Sequence, residues 1–357
     1  MNKLTQFWHR ISDGLAVDEL WGQLRREATS GYRLYKQDAM TKAPPARPAR
    51  RPGGAPRQRH LGREFAWAIL LHMSPARRVV LLLALVLQFT QYRLIGLLLI
   101  VGLLALEIAD RVSLKRDLEI AREIQAWLLP ATPPEVAGAE VAFVNQPANT
   151  VSGDFYDAFW RSPSVLMLAL ADVAGKGLPA ALLTATFQAS LHTLAAEGLT
   201  LEGVVAALNR YACGHSAGGT RFTTAVVAEY EPAARRLRYV NAGHNPPLLR
   251  RAGAEPLERL QAGGVPLGIL AEAAYESGEV ELHPGDALLL FTDGVTETFN
   301  PGSEEYGEER LQAVLLAAPA GAGAAAIRDA VVGDCTRFRG DAPRQDDVTC
   351  LVLRRHA

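Results

Sequence analysis

Between residues 79 and 106 the chain runs VVLLLALVLQFTQYRLIGLLLIVGLLAL, its most apolar stretch, interrupted by Gln88, Gln91 and Arg93. The following segment, LEIADRVSLKRDLEIAREIQAWLLP, places Leu114, Leu118, Ala121, Gln125 and Leu128 at 4-3-4-3 spacing, one stripe of a helix that stops at Pro130. From about residue 139 the pattern changes to short β-rich runs between turn signals. It predicts strands near 140–145, 165–171, 223–230, 237–241, 247–250, 287–292 and 348–353. Helices are predicted near 178–197, 201–212, 308–317 and 321–338. The irregular alternation, with frequent hairpins, points to an α+β fold rather than a doubly wound parallel sheet.

A membrane core takes roughly 20 apolar residues per helical span. As one span the 79–106 stretch is long enough, but Arg93 would sit near its middle at a cost of about 2.5–3.5 kcal/mol. As a hairpin turning at Gln91–Arg93, each arm is short unless it borrows flanking residues or only dips into the bilayer. Arg77 and Arg78 precede the stretch and Arg111, Lys115 and Arg116 follow it, which favours both ends on the cytoplasmic side. The expectation is a membrane-associated segment, one span or hairpin, rather than a buried helix pair. The stripe that follows is either a short parallel coiled coil, making a homodimer through the 106–128 helix, or an amphipathic helix packed on its own domain.

Composition divides the chain further. Residues 1–41 mix charged, apolar and aromatic positions and predict short helices; residues 42–60, TKAPPARPARRPGGAPRQRH, form a basic Pro/Gly/Arg linker with nothing to bury. The expected organisation is then 61–110 membrane-associated, 111–130 an amphipathic connector helix, and 131–357 a catalytic domain. The formal net charge of -1 conceals an asymmetry: residues 1–78 hold 15 Lys/Arg against 6 Asp/Glu, a balance of +9, so the remainder carries -10. An acidic body is a poor nucleic-acid binder and a good cation binder, and the basic arm is expected to lie along an anionic lipid surface. Cys213, Cys335 and Cys350 have no metal-ligand spacing and read as ordinary thiols.

Candidate chemistry lies in the aspartates. Asp154 sits in VSGDFYD; Asp172 ends the apolar run VLMLALAD; Asp293 ends ALLLFTD; Asp346 and Asp347 open DDVTCLVL. An aspartate at the tip of an apolar strand is costly unless paired or coordinated. One would be a turn former; several on separate strands point to a cation site. An oxygen-only donor set suits Mg²⁺ or Mn²⁺ rather than Zn²⁺. AGKG at 174–177 is not a phosphate loop, because no glycine stands five residues before Lys176 and Gly177 replaces the Ser/Thr. Instead, Gly175 and Gly177 permit a sharp turn into the next helix. His244, in NAGHNPP, reads as a hairpin-turn histidine with local hydrogen bonds rather than a general acid. No serine or cysteine lies in a nucleophile-elbow sequence.

In order, VSGDFYD, ALADVAGKGLPAAL, RFTTAVV, YVNAGHNPPLL, LLLFTDGVTE, YGEERL and QDDVTCLVL resemble the SpoIIE/RsbU branch of the metal-dependent, 2C-type serine/threonine protein phosphatases, and DLEIAREIQAWLLP resembles its helical lead-in. The resemblance spans roughly 115–355. It implies an antiparallel β-sandwich flanked by helices, with two Mn²⁺ or Mg²⁺ ions at one end. It also implies hydrolysis of phosphoserine or phosphothreonine on a protein, in this branch usually a small anti-sigma-factor antagonist, by a metal-activated water. Carried over, Asp172 would bridge the ions, the carbonyl of Val173 would bind one, and Asp154, Asp293 and Asp346 would complete the set. Asp157 and Asp347 are supporting candidates, with Asp347 the alternative to Asp346. The branch commonly has glycine where this chain has Val173. A non-catalytic membrane-anchored scaffold and a small-molecule phosphoesterase are the rival readings. The implied location is the inner membrane, with the phosphatase domain cytoplasmic.

Overall fold

The computed structural model describes residues 73–215, 221–252 and 256–356. The expectations for residues 1–41 and 42–60, and for the start of the 61–110 segment, lie outside them. The chain divides into two compact units between Asp117 and Leu118.

In the first unit, helix α1 (Pro75–Leu87) starts at an N-cap serine, Ser74, with Pro75 at its first position, where a missing N–H costs nothing. Residues 88–92 turn, and α2 (Arg93–Leu128) begins. The chain therefore reverses where the polar cluster interrupts the apolar run. No helix among the described residues is long and apolar enough to cross a membrane. This corrects the expected transmembrane helix, while the reversal agrees with the hairpin alternative; two features rule out a span. At 13 residues, α1 measures roughly 20 Å against a hydrocarbon core of about 30 Å. The apolar run of α2 ends at Glu107 and Asp110, which pair with buried Arg77 at 3.1 and 2.6 Å. Arg77 is thus neutralised within the unit rather than standing as a flanking basic charge.

The second unit is a four-layer α-β-β-α sandwich. One sheet has the order β1 (Ala139–Gln146), β11 (Val348–Arg355), β10 (Ala287–Phe291), β6 (Leu248–Arg250), β7 (Glu258–Arg259). The other runs β2 (Asp154–Ser162), β3 (Val165–Val173), β4 (Thr223–Glu231), β5 (Arg236–Ala242), β8 (Gly263–Gly264), with β9 (Gly278–Glu281) also on β5. The pairing is antiparallel except for β5 with β8, so the sheets are mixed rather than purely antiparallel as expected. Strand alternation explains the layering. Tyr156, Leu168, Leu170, Leu290 and Leu351 fill the space between the sheets. Their neighbours Phe155, Met167 and Ala169 face α3 (Leu178–Ala196) and α4 (Leu201–His215), which cover that sheet with Phe187, Leu191, Val204 and Leu208. Leu289, Phe291 and Cys350 face the helices α6 (Gly307–Ala317) and α7 (Ala324–Arg339) on the other side. Each such fully buried side chain contributes about 1.5–3 kcal/mol, so both faces of both sheets are energetically committed.

Every predicted strand and helix of this unit forms. The expectation omitted β2, whose GD opening reads as a turn and whose alternation is broken by Asp157, the short edge strands β7, β8 and β9, and the one-turn helix α5 (Asp293–Thr296).

Candidate metal centre

Four strand ends deliver the aspartates. Asp154 is the first residue of β2 and stands opposite Asp172, near the end of β3, in their antiparallel register. Asp293 opens α5 directly after β10, and Asp346 and Asp347 precede β11, in the facing sheet. Polar cross-links pin the sheets together here. Thr292 donates to Asp154 Oδ2 at 2.8 Å and Thr349 Oγ1 donates to the same oxygen. Ser152 Oγ (2.9 Å) and the N–H of Gly153 (2.6 Å) donate to Asp347 Oδ2, and the N–H of Ala148 donates to Oδ1 at 2.7 Å. Asp347 is thus buried and saturated by its own protein, whereas Asp346 is half exposed and meets Lys176.

Glycines make the close approaches. A Cβ on Gly294 would lie 2.0 Å from the carbonyl of Asp347, so only glycine lets α5 start against the strand that follows Asp346. Gly175 (φ +115°) and Gly177 (φ +76°) turn the chain into α3, as their positions in AGKG suggested. The carbonyls of Val173 and Gly175 border the space that a side chain at Gly153 would fill, at 3.4 and 3.5 Å from its Cβ position.

Electrostatics mark the cluster. Burial, then the charges of Asp293, Asp346 and Asp347, push Asp172 up to about 7, with Lys176 opposing. Asp154 is raised well above the carboxylate range by burial and by Asp172, against the Thr349 hydrogen bond. Asp293 is raised by burial and by Asp346. These carboxylates share one end of the sandwich, yet among the described residues no three His, Cys, Asp or Glu side chains close into a ready-made metal cage.

Asp157 is not part of this cluster. Three residues along β2 from Asp154, it faces the helix layer, where Gln188 Nε2 (3.1 Å) and His192 Nε2 (2.8 Å) meet its carboxylate. His244 is bonded locally only through its backbone, to the Asn241 side chain; its ring reaches further than expected, with Nδ1 meeting Thr224 Oγ1 at 2.8 Å and Nε2 the carbonyl of Phe291 at 3.1 Å. The sequence reading missed Thr292, Thr349 and Ser152. Thr349 stands two positions after Asp347, and Thr292 directly before Asp293, which was the available signal. Gln125, in contrast, lay on the helical stripe but belongs to the site's support. It donates to the carbonyl of Ser152 at 2.8 Å and accepts from its N–H at 2.9 Å, and so is buried rather than at a helix–helix seam.

Comparison with known proteins gives a consistent set. The family model "Stage II sporulation protein E (SpoIIE)" matches residues 162–356. The chain is 30% identical to the phosphoserine phosphatase RsbU of Bacillus subtilis over 68% of its own length and 71% of RsbU. It is 28% identical to protein IcfG of Synechocystis over 60% of its length, but spans only 38% of IcfG. Among solved structures, the RsbU and RsbW domains of a Mycobacterium tuberculosis protein superpose with a TM-score of 0.52 at 26% identity, covering 64% of this chain and 62% of that one. The SiaA-PP2C domain of Pseudomonas aeruginosa superposes with a TM-score of 0.59 at 22% identity, covering 69% and 98%; at that identity it speaks for the fold.

Proposed function

Because the chain belongs to the SpoIIE family, we propose that residues 131–357 hydrolyse phosphoserine or phosphothreonine on a protein in a metal-dependent reaction, with a small anti-sigma-factor antagonist as the substrate class. The observation that carries this reading is the gathering of Asp172, Asp293 and Asp346 at one end of the sandwich, where burial and neighbouring negative charge raise Asp172 and Asp293. Two divalent ions, Mn²⁺ or Mg²⁺, suit this set, because its donors are carboxylate and carbonyl oxygens with no His or Cys among them.

In this reading Asp172, Asp293, Asp346, Asp154 and the carbonyl of Val173 are the groups that would hold the ions. Bound there, the ions would supply an activated water and charge neutralisation for in-line attack at phosphorus. The protein's own part is positioning. Thr292 and Thr349 fix Asp154 through one oxygen, Oδ2, and leave Oδ1 outside those bonds. Asp347 holds the 148–153 loop against the sheet that contains β11. The hydroxyls of Ser152, Thr292 and Thr349 are engaged as donors to Asp347 and Asp154, in keeping with direct attack by water. Gln125 links the connector helix to Ser152, and Ser152 to Asp347, which supports a route by which movement of that helix alters the centre.

The test is a release assay with the full chain on a serine-phosphorylated antagonist protein and, in parallel, on nucleotides. Metal-dependent release from the phosphoprotein, lost in Asp172→Asn, supports the reading. Turnover of nucleotides alone would move the chain to the small-molecule phosphoesterases, and metal binding without turnover would make it a scaffold.

A further inference from the structure

Lys176 was set aside in the sequence as a failed phosphate-loop lysine, yet it lies beside the cluster. Its Nζ donates to Asp346 Oδ2 at 2.7 Å and to the carbonyl of Gln345 at 2.7 Å. The other oxygen of Asp346 is also engaged, accepting the N–H of Asp347 at 2.9 Å. Both carboxylate oxygens therefore have partners, and an incoming cation meets the ammonium at Oδ2 or the backbone N–H at Oδ1. The backbone N–H is that of Asp347, a buried residue directly before β11. The ammonium is the weaker partner, with its side chain 57% exposed on a flexible stem, so water readily takes it up.

The loop around it also has an imposed shape. Gly175 and Gly177 both hold positive φ on either side of Lys176, and the Lys176 side chain reaches Asp346 from this turn. A divalent ion at Asp346 and an ammonium on Oδ2 repel each other at this range, so the two arrangements exclude one another.

We propose that Lys176 is an internal counter-cation that competes with the divalent ion for Asp346 and thereby weakens the chain's affinity for metal. The proposal rests on the reading of Asp346 as a ligand. Its consequence is that one loop residue sets the cation concentration at which the centre fills.

The experiment is titration of the full chain with Mn²⁺ alone, followed by the loss of the free-ion paramagnetic resonance signal, with no substrate present. An exposed pair of this kind is worth enough to tighten Mn²⁺ binding about two- to five-fold in Lys176→Gln, with Lys176→Arg close to the parent. In an Asp346→Asn background, adding Lys176→Gln should change nothing, because the carboxylate for which the two cations compete is gone. That control separates competition at Asp346 from a general change in charge. Unchanged or weaker binding in Lys176→Gln, or a gain that persists in Asp346→Asn, overturns the proposal. If Asp172→Asn and Asp346→Asn themselves leave Mn²⁺ uptake untouched, the reading of the centre fails first.

Discussion

Asp154 stands directly across from Asp172 on one rung of the β2–β3 pair, so the strands bring two carboxylates face to face. Like charges in that position destabilise a sheet, and burial adds to the cost. Asp172 holds its proton up to about 7, against 3.8 ordinarily. A carboxyl raised in the fold contributes stability below its ordinary range and loses it as pH rises through about 7. Divalent ions should restore what ionisation removes. Mn²⁺ at about 100 times its Kd should add about 2.7 kcal/mol of stability, with a larger rise in Tm at pH 8 than at pH 6. Calorimetry with and without a chelator reads this, and Asp172→Asn should shrink the metal-induced shift.

Asp346 and Asp347 are adjacent but held in opposite ways, and their alanine variants should separate. Asp347→Ala strands the Ala148 and Gly153 N–H groups and Ser152, and should cost about 3 kcal/mol in denaturant unfolding. Asp346→Ala removes a half-exposed pair and should cost less than about 1 kcal/mol while raising the Mn²⁺ needed for turnover. Equal stability losses would contradict this division of roles.

Gly294 offers a steric test. An added methyl would meet the Asp347 carbonyl at 2.0 Å, contact with backbone that cannot yield locally. Gly294→Ala should destabilise the chain by about 1–3 kcal/mol and weaken metal binding, because relief requires Asp293 to move away from Asp346. Wild-type metal affinity in a folded Gly294→Ala protein would argue against so tight a junction.

His244 gives a pH dependence of the opposite sign to Asp172. Burial lowers it to about 4, from 6.5, and its two bonds suit the neutral ring, with Nε2 donating to Phe291 and Nδ1 accepting from Thr224. The unfolded chain takes up this proton first, so stability is lost as pH falls from about 6.5 through about 4. His244→Asn should be less stable than the parent at pH 7, and the gap should narrow towards pH 4. Urea midpoints across that range read the difference directly.

Most of the sandwich was legible because its strands are apolar on both faces and its helices are long. What stayed hidden was relational. Whether Asp346 or Asp347 faces the cluster depends on loop 148–153, far away in sequence. Asp157 looked like a neighbour of Asp154, yet three residues along a strand is an odd offset and turns it to the helices. Gln125 fitted a heptad seam as well as a hydrogen-bonding post, and only the position of Ser152 decides which. The apolar run at 79–106 met the length criterion for a span, but the turn at 88–92 cuts it into pieces too short to cross.

The central claim is that these carboxylates carry divalent ions that hydrolyse a phosphoserine protein, and one assay tests it most directly. Phosphate release from a serine-phosphorylated antagonist protein is followed with the full chain in chelator, after Mn²⁺ is restored, and in Asp172→Asn with Mn²⁺. The account expects no turnover in chelator, recovery with Mn²⁺, and a loss of more than about 100-fold in the variant, since even groups supporting a metal ligand are worth 10–100-fold. Turnover undiminished by chelation, or retained in Asp172→Asn, would contradict it.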